Sequence, residues 1–380
     1  MLKRRLTRPV FVRDLQIGGQ APIAVQSMCA TKTQDIEKTT AQIESLLKYG
    51  ADLIRVAVDS KKDVEALKII RKKTKARLVV DLQESFQLAE AIAPYVDKIR
   101  YNPGHLHHHN KNLSPFEKVA FIVEQAKKFN CALRIGINFG SIDPSKTEED
   151  NPIEKALASA LEHIEYMDKL KFNNFLVSLK SSNPNDVVTI NTEFARRFPE
   201  IPLHLGVTEA GMPPEGVIKT RIAFEKLLAN GIGETLRVSL TLPFEEKYKE
   251  ILAAKQIIND VENGKFLSVP FFANKGLNII SCPSCSRVEN EKFVELARSV
   301  KDFLKGFEDV NLTVAVMGCR VNGPGETDDA DIGLWCAPSH VNLKIKGELV
   351  GKFRYSEILE KVKEEVEKIA SQSAKTAHNY

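Results

Sequence analysis

Two short segments decide how the last third of this chain folds: CPSC at Cys282–Cys285 and MGCRVNGPGE at Met317–Glu326. Together they read C-x2-C-x33-C-x6-E, in which two cysteines share one tight turn and a third lies on a later loop rich in glycine and proline. Three soft sulfur ligands with one hard carboxylate would hold one metal corner more weakly than the others. That asymmetry favours an iron–sulfur cluster over a structural zinc, which prefers four Cys or His ligands. The alternative is three ordinary buried thiols.

The fourth ligand has two candidates in the sequence. Cys336 follows Trp335 at the end of an apolar strand, where a buried thiol is ordinary. Glu326 instead closes the Gly323–Gly325 segment, whose tight turns can direct a carboxylate back toward Cys319. We therefore expect Glu326 to be the ligand.

Composition limits the class of protein. A chain of 380 residues, 43% of them apolar, is too long for one small core and predicts two domains. We expect neither a membrane span nor a secretory signal, because no run of 18 apolar residues occurs and none follows the basic N-terminus. The six unevenly spaced cysteines favour a reducing cytoplasm over a disulfide framework, with Cys29 and Cys131 as small buried hydrophobes. The net charge of +4, without a stripe of Lys and Arg, argues against nucleic acid as a partner.

Eight strand-then-helix units precede the cysteines. Each strand-like run is followed by an amphipathic stretch, such as Pro152–Met167, whose apolar residues recur every three or four positions. Eight such units in about 260 residues fit a TIM-type (β/α)8 barrel in number and length. The competing layout, an open doubly wound sheet, should carry a Gly-rich phosphate loop after its first strand, and Gln26–Ala30 is not one. The predicted strands are 22–28, 52–58, 78–81, 98–101, 132–138, 174–180, 202–207 and 235–241.

A natural linker at Asn263-Gly264 follows the last of these units. Beyond it, strands and helices surround the two cysteine segments. The sequence therefore predicts an α/β protein with a TIM-barrel substrate-binding domain at 1–264 and a smaller α/β iron–sulfur cluster domain at 265–380.

Cations recur at positions that should face the barrel lumen. In the strand 132–138, Leu133 and Ile135 would face the helices, which leaves Arg134 inside. Branched apolar residues normally fill a barrel, so buried cations on several strands need negative partners. A phosphate or diphosphate at the C-terminal mouth suits them; the alternative is a set of internal ion pairs with Asp52, Asp81, Glu84, Glu209 and Glu234. The five cations are Arg55, Arg100, Arg134, Lys180 and Arg237.

Taken together, the motifs resemble the 4-hydroxy-3-methylbut-2-enyl diphosphate synthase family, iron–sulfur enzymes of the non-mevalonate isoprenoid pathway. Besides the cysteine segments, the resemblance rests on VQSM, RYNPG, RIGIN and LGVTEAG at Val25–Met28, Arg100–Gly104, Arg134–Asn138 and Leu205–Gly211, and it runs nearly end to end. It implies a [4Fe–4S] cluster and a two-electron reductive ring opening of 2-C-methyl-D-erythritol 2,4-cyclodiphosphate with loss of a hydroxyl. Electrons would come from a flavodoxin or ferredoxin. The resemblance also implies a homodimer in which the cluster domain of one chain covers the barrel mouth of the other.

The resemblance also implies roles for single residues. Glu209 matches a barrel glutamate with a role in proton transfer, and Asn322 matches a residue expected to face the substrate. Gln83 stands where relatives commonly have histidine, and a histidine-rich run at 105–109, which we expect to be a solvated loop, replaces the usual continuation after Asn-Pro-Gly. The matched cluster ligands are Cys282, Cys285, Cys319 and Glu326, and the matched diphosphate-binding set is Arg55, Arg100, Asn102, Arg134, Asn138, Lys180 and Arg237.

Two other classes of protein stay open at this point. One is a TIM-barrel transferase with a structural zinc domain, and the other is a nonenzymatic redox sensor whose cluster reports oxidation. Metal analysis separates the first, because zinc without brown colour would support it and about four irons with acid-labile sulfide would exclude it. The lumen cations argue against the second, since a sensor does not need an anion site.

Overall fold

The computed structural model describes residues 3–82, 85–107, 110, 112–146, 151–268, 276–307 and 310–377. In these residues a two-stranded hairpin is followed by an eight-stranded parallel barrel and then by a separate five-stranded sheet with its own helices. The predicted fold class, a TIM barrel followed by a smaller α/β domain, is confirmed. In the part of the chain described, helices that combine the length and the apolar character needed to cross a membrane are absent.

The first domain alternates strands and helices around the barrel. Its helices begin at the expected signals: Asn151, for example, accepts the N–H of Ile153 at 2.9 Å just before Pro152 starts a helix. The elements are β1 Val10–Val12, β2 Leu15–Ile17, β3 Ala24–Met28, α1 Ile36–Lys48, β4 Leu53–Ala57, α2 Lys61–Lys73, β5 Leu78–Asp81, α3 Ala89–Ile92, β6 Lys98–Tyr101, α4 Pro115–Lys128, β7 Ala132–Asn138, α5 Pro152–Lys169, β8 Phe175–Lys180, α6 Pro184–Arg197, β9 His204–Leu205, α7 Glu215–Ala229, β10 Thr235–Leu236 and α8 Tyr248–Glu262.

The barrel closes between β8 and β9, where Val177 bridges Leu203 and its N–H donates to the carbonyl oxygen of Pro202 at 3.1 Å. The hairpin lies at the N-terminal ends of the barrel strands, where Val10 and Ile17 pack against Leu53 and its neighbours. This apolar plug seals the N-terminal end of the barrel. The open end, called the mouth below, is therefore formed by the C-terminal ends of the strands, where TIM-barrel sites lie.

Alternate strand residues divide between the helices and the lumen as predicted. Leu133, Ile135 and Ile137 of β7 belong to the apolar layer between strands and helices. Gly136 lies between them on the other face, where an added Cβ would overlap the guanidinium of Arg100. The glycine thus makes room in the lumen for a large cation.

Two predicted strands are shorter than expected. The runs 202–207 and 235–241 form ladders only over β9 and β10, two residues each. Beyond them the chain bends into loops, and Glu209 takes a left-handed backbone conformation at φ +48°. An alternating apolar pattern continues through these loops because both of their sides are buried. Periodicity alone therefore overestimates the length of the two strands.

The second domain, called the C-terminal domain below, comprises residues 276–307 and 310–377 of the described chain. Its sheet has parallel strands β11, β12 and β13 followed by antiparallel β14 and β15. Apolar residues of α9 and α11, such as Phe293, Val300 and Val362, pack into its core. The elements are β11 Leu277–Ser281, α9 Lys292–Leu304, β12 Leu312–Met317, α10 Gly323–Asp328, β13 Ile332–Cys336, β14 Val341–Ile345, β15 Glu348–Phe353 and α11 Ile358–Ala377.

The segment expected to be a loop of tight turns at Gly323–Gly325 is instead the first turn of the helix α10. Pro324 lies in that first turn, where its missing N–H costs no hydrogen bond. The hydroxyl of Thr327 donates to the carbonyl oxygen of Gly323 at 2.5 Å and reinforces the turn. Glu326 consequently projects from a helix, which fixes its direction more firmly than a loop would.

Candidate active site

The C-terminal domain covers the barrel mouth of the same chain. Ala210, after β9, forms a parallel bridge with Ser281 at the end of β11. Nearby, the N–H of Ser286 donates to the carbonyl oxygen of Cys29 at 3.2 Å. A cavity of about 80 Å³ lies between the two domains, and its walls come from both. Its charged and thiol-bearing lining residues are Arg55, Asp81, Arg100, Arg134, Lys180, Glu209, Arg237, Cys282, Cys285, Arg287 and Cys319.

The cysteine turn, residues 282–285, is attached to the barrel through Ser284. The Ser284 hydroxyl donates to the carbonyl oxygen of Leu242 at 2.6 Å and accepts the N–H of the same residue at 3.2 Å. Ser284 is fully buried and has φ +44°, a conformation that non-glycine residues rarely adopt. A strained backbone conformation persists where the surrounding contacts fix it. Here the hydrogen bonds to Leu242 fix the turn, whose Cys282 and Cys285 line the cavity.

The third cysteine, Cys319, follows β12 and meets the other two at the cavity. A hydrogen bond with Cys282, together with backbone N–H groups of Val321 and Asn322, lowers the pKa of Cys319 to about 7. The same hydrogen bond raises the pKa of Cys282. One thiolate is therefore already favoured near neutral pH, and thiolates are the form that binds metal.

The other three cysteines are buried away from the cavity. Burial raises the pKa of Cys29, Cys131 and Cys336 to about 12 each. Cys336 belongs to the core of the C-terminal domain. These positions suit inert thiols and give Cys336 no access to the cavity walls formed by the described residues.

The residues around the cavity fit an iron–sulfur cluster. Among the described residues, no group of three or more His, Cys, Asp or Glu side chains converges on one point, as the ligands of a single metal ion would. The thiols of a [4Fe–4S] cluster each bind a different iron, so they surround a space rather than a point. Cys282, Cys285 and Cys319 all line the cavity. Sulfur is also the donor that such clusters require.

Three of the lumen cations have carboxylate partners, Asp81 on β5 and Glu250 on α8. Asp81 lies 2.9 Å from Arg100 Nη1 and 3.8 Å from Arg55 Nη1. Glu250 Oε2 lies 3.8 Å from Arg237 Nη2. The alternative interpretation, internal ion pairs, is thus correct for three of the five predicted cations, and the carboxylates that pair with them are Asp81 and Glu250.

Arg134 and Lys180 differ from the other three, because neither makes an ion pair with any described residue. Arg134 Nη1 donates to the Ser178 hydroxyl at 2.6 Å, while its Nε and Nη2 have no hydrogen-bond partner in the described structure. Burial, reinforced by neighbouring arginines, lowers the pKa of both groups. Buried cations with unused donors are costly, so the structure is arranged for an anion that enters from the mouth.

The two asparagines of the predicted set lie in different surroundings. Asn138 lines the cavity at the end of β7, beside Lys180 in the strand register. Asn102 is buried outside the lining: its Nδ2 donates to the Ser141 hydroxyl at 2.8 Å, and its Oδ1 accepts the N–H of Gly104 at 3.2 Å. Asn102 thus stabilises the loop after β6, and its substrate contact stays a prediction.

Glu209, Asn322 and Glu326 meet where the two domains join. Asn322 Nδ2 donates to Glu209 Oε1 at 2.6 Å. Glu326 lies against Gly140 and forms a hydrogen bond with Glu209. Burial raises the pKa of Glu209, and burial together with the Glu209 charge raises the pKa of Glu326. Close buried carboxylates disfavour ionisation of both groups at once, and the raised pKa values accord with that.

The arrangement bears on the predicted fourth ligand. Glu326 directs its carboxyl group to Glu209, and the described residues that line the cavity with the thiols do not include it. Its role as a metal ligand stays a prediction. As a hard donor, it would leave a cluster more readily than a thiolate.

Sequence reasoning missed several site residues. Arg287 lines the cavity two positions after Cys285, and a charged residue so close to a ligand turn was the available signal. Lys98 is fully buried, and its Nζ has no hydrogen-bond partner in the described structure. Lys98 precedes Arg100 by two residues on the same strand, so strand alternation could have placed it in the lumen.

The histidine-rich run is only partly described. His105 is buried, so the predicted solvated loop is wrong for this residue. His107 is partly exposed, and its Nε2 lies 2.9 Å from Asp143 Oδ1, which joins the loop to the segment between β7 and α5. His108 and His109, like Gln83 and Glu84, lie outside the described residues.

The family models and the sequence relatives agree with one another. A family model described as the GcpE TIM-barrel domain matches residues 7–255, and one described as the GcpE protein C-terminal domain matches residues 278–368. A protein of Rhodopirellula baltica named 4-hydroxy-3-methylbut-2-en-1-yl diphosphate synthase (flavodoxin) is 58% identical over 369 residues, 96% of this chain and 97% of that protein. A protein of the same name from Natranaerobius thermophilus is 39% identical over 95% of this chain and 96% of its own length. A solved dihydropteroate synthase from Xanthomonas albilineans covers 68% of this chain and 98% of its own with a TM-score of 0.49 and 12% identity, too distant to bear on function.

Proposed function

This chain belongs to the GcpE family, and from that membership we infer that it catalyses the reductive ring opening and dehydroxylation of 2-C-methyl-D-erythritol 2,4-cyclodiphosphate to 4-hydroxy-3-methylbut-2-enyl diphosphate. The family predicted from the motifs is thereby confirmed. The reaction breaks the ring C–O bond to phosphate and removes a hydroxyl as water. Two electrons and a proton must be supplied for that balance.

One observation supports this function most directly: the three thiols and two lumen cations, Arg134 and Lys180, line the same cavity. Neither cation has an ion-pair partner among the described residues, and a cyclic diphosphate supplies the missing negative charge. The thiols Cys282, Cys285 and Cys319 come from the C-terminal domain and line the same cavity, so a reducing group that they hold would lie next to the bound anion. Binding and reduction can thus act on one small molecule.

The residues proposed to hold a [4Fe–4S] cluster are Cys282, Cys285, Cys319 and, as the exchangeable fourth ligand, Glu326. Such a cluster, when bound, supplies single electrons and a Lewis-acidic iron. The chain itself orients the substrate through Arg55, Arg100, Arg134, Asn138, Lys180 and Arg237, with Asn102 supporting from the loop after β6.

Glu209 is proposed to deliver the proton that lets the hydroxyl leave as water. Burial raises the pKa of Glu209, which favours the protonated form that a proton donor needs. Asn322 fixes the position of its Oε1 and Glu326 bonds to the same carboxyl group. If Glu326 turns away, Glu209 loses its partner and can turn toward the cavity that it already lines.

Three further features of the function are proposals. The reductant is a flavodoxin or ferredoxin, in accord with the word flavodoxin in the names of the relatives. The compartment is the cytoplasm, where buried thiols such as Cys336 stay reduced. The domain division is 1–264 and 265–380, and the assembly is a homodimer in which the C-terminal domain of each chain covers the mouth of its partner.

The dimer proposal has a direct test, because the described structure has the mouth covered by the same chain. A homodimer of the proposed kind would make the same contacts between two chains. At a substrate concentration well below the wild-type KM, where Arg134→Met alone should retain at most about a tenth of the wild-type rate, co-expression of an Arg134→Met chain with a Cys319→Ala chain should restore about a quarter of that rate if the cover comes from the partner, since one mouth in a mixed dimer is intact. A rate no higher than that of the two variants expressed separately would establish the arrangement within one chain.

The function itself is tested by anaerobic purification. About four irons and four acid-labile sulfides per chain are expected, with a brown absorption band. Phosphorus NMR should then record conversion of the cyclic diphosphate to the linear one when reduced flavodoxin is added. Zinc in place of iron, with no conversion, would favour the transferase instead.

A further inference from the structure

Met28 ends the VQSM segment and is the last residue of β3. Val25 of the same strand belongs to the apolar layer between strands and helices, so strand alternation directs Met28 to the other face. Its partner in the register of β3 with β4 is Arg55, one of the lumen cations. A fully buried methionine therefore lies inside the barrel, among the groups expected to bind an anion.

The sulfur of Met28 is shared by two guanidinium groups. Arg55 Nε and Nη2 donate to Sδ at 3.0 and 2.9 Å. Arg237 Nη1 donates to the same atom at 3.6 Å. The strand β3 lies between β4, which carries Arg55, and β10, which Arg237 directly follows. One uncharged atom thus contacts a cation on each side of its strand.

The carboxylates that pair with these two cations lie farther away than the sulfur. Asp81 Oδ2 is 3.8 Å from Arg55 Nη1, and Glu250 Oε2 is 3.8 Å from Arg237 Nη2, both beyond hydrogen-bond distance. In the described structure, Arg237 Nε and Nη2 have no hydrogen-bond partner. The direction of both guanidinium groups therefore depends on the sulfur more than on either carboxylate.

A thioether is a weak, uncharged acceptor. It can fix the direction of a guanidinium group without balancing its charge, so the charge stays available to an anion. A carboxylate in the same place would neutralise both cations, and a hydrocarbon would leave their N–H groups without an acceptor. The simpler alternative is that Met28 only fills space, as methionine often does in a core, in which case leucine would serve equally well.

We propose that Met28 is a positioning residue of the anion site, whose sulfur orients the guanidinium groups of Arg55 and Arg237 toward the diphosphate. The identity of the substrate rests on the proposed function, but the positioning itself needs only a diphosphate group. The reactive centre and the thiols play no part in it, so the expected effect is on binding.

Calorimetry with inorganic diphosphate tests the proposal on the anaerobically reconstituted protein. Met28→Leu keeps the volume and removes the acceptor, so the diphosphate Kd should rise about fivefold to twentyfold, as expected for the loss of a weak bond to a charged group. Met28→Gln supplies an amide oxygen at a similar reach and should keep the Kd within about twofold of the wild type. Met167→Leu is the matched control, because Met167 is fully buried in the apolar layer outside the lumen and should not affect binding.

A double-mutant cycle separates action through Arg55 from direct contact with the anion. In an Arg55→Met background, Met28→Leu should change the diphosphate Kd by no more than about twofold, since the group that the sulfur orients is gone. With the cyclic diphosphate as substrate, Met28→Leu should raise KM and leave kcat within about twofold of the wild type, because the lost contact serves binding alone.

Any of three results would overturn the proposal. The first is a diphosphate Kd of Met28→Leu equal to that of the wild type. The second is an undiminished effect of Met28→Leu in the Arg55→Met background, and the third is a Met28→Gln variant as impaired as Met28→Leu. Should Met28→Leu not fold, replacement of methionine by norleucine in the wild type and in Met28→Gln makes the same comparison, because only the wild type then loses an acceptor at position 28.

The outcome is distinguishable from that of the proposed function. Failure of the wild type to convert the cyclic diphosphate would remove the proposed function, yet the calorimetric series with inorganic diphosphate would still decide on Met28. Absence of diphosphate binding by the wild type would overturn the positioning role.

Discussion

The barrel mouth and the cysteine-bearing loops border one cavity, but they are built differently. Arg134 and Lys180 stand on neighbouring strands whose register is fixed by the β7–β8 ladder. Cys285 and Cys319 stand on loops of a second domain, and they reach the cavity only because that domain docks on the first. Ladder geometry holds the anion site, whereas a few side-chain contacts hold the thiols in place.

This difference separates affinity from turnover. Changes on the strands should alter how tightly the anion binds and leave the metal in place. Changes in the C-terminal domain should alter metal content or turnover and leave anion binding in place. Predictions on each side can therefore be checked against the other.

The largest effect is expected from Cys319→Ala, with Cys336→Ala as its matched control. Loss of one thiolate should reduce iron to background and turnover by more than about a hundredfold, beyond what indirect changes around a metal cause. Cys336 lies in the apolar core, so its removal should cost only stability, about 1 kcal/mol. Iron and sulfide analysis with phosphorus NMR measures both. Equal iron loss in the two variants would contradict the assignment of ligands.

Glu209→Gln should reduce turnover by about a hundredfold or more, because the amide cannot deliver a proton. Diphosphate affinity should be unchanged, since Glu209 belongs to the joint between the domains and not to the cation set. Because burial raises the pKa of Glu209, the wild-type rate should fall as pH rises through that raised value, and the variant should lack this limb. A pH–rate profile of each protein, with calorimetric diphosphate binding, provides the check. An unaltered profile would exclude Glu209 as the proton donor.

The extent to which sequence predicts each region follows from the same difference. Strand alternation placed Arg134, Lys180 and Asn138 in the lumen, because a barrel has only two faces for each strand. No comparable rule relates Arg287 to Asp81, which lie 206 residues apart and meet only through docking of two domains. The direction of the Glu326 side chain could not be predicted either. It depends on the short helix α10, which forms at a segment whose glycines and proline predict turns.

Arg134→Met should weaken binding while stabilising the empty protein. The variant loses charge-assisted bonds to the anion, which predicts a KM about tenfold to a hundredfold higher. It also removes a buried cation that has no ion-pair partner among the described residues, so the free energy of unfolding without ligand should rise by about 1–3 kcal/mol. Arg197→Met, on the outer surface, should change either quantity little. Thermal unfolding with and without inorganic diphosphate tests both halves, and a destabilised empty protein would show that Arg134 is not an uncompensated charge.

The smallest effect is expected where the cysteine turn is clamped to the barrel. Ser284→Ala leaves the buried N–H and carbonyl groups of Leu242 without their hydroxyl partner, which should lower the free energy of unfolding by about 1–2 kcal/mol. Amide exchange at Leu242 should accelerate, turnover should fall by a few-fold, and diphosphate affinity and iron content should match the wild type. Ser339→Ala, at an exposed position, is the control. A loss of diphosphate affinity in the Ser284 variant would contradict the separation of the two regions, because it would mean that the strands alone do not hold the anion site in shape.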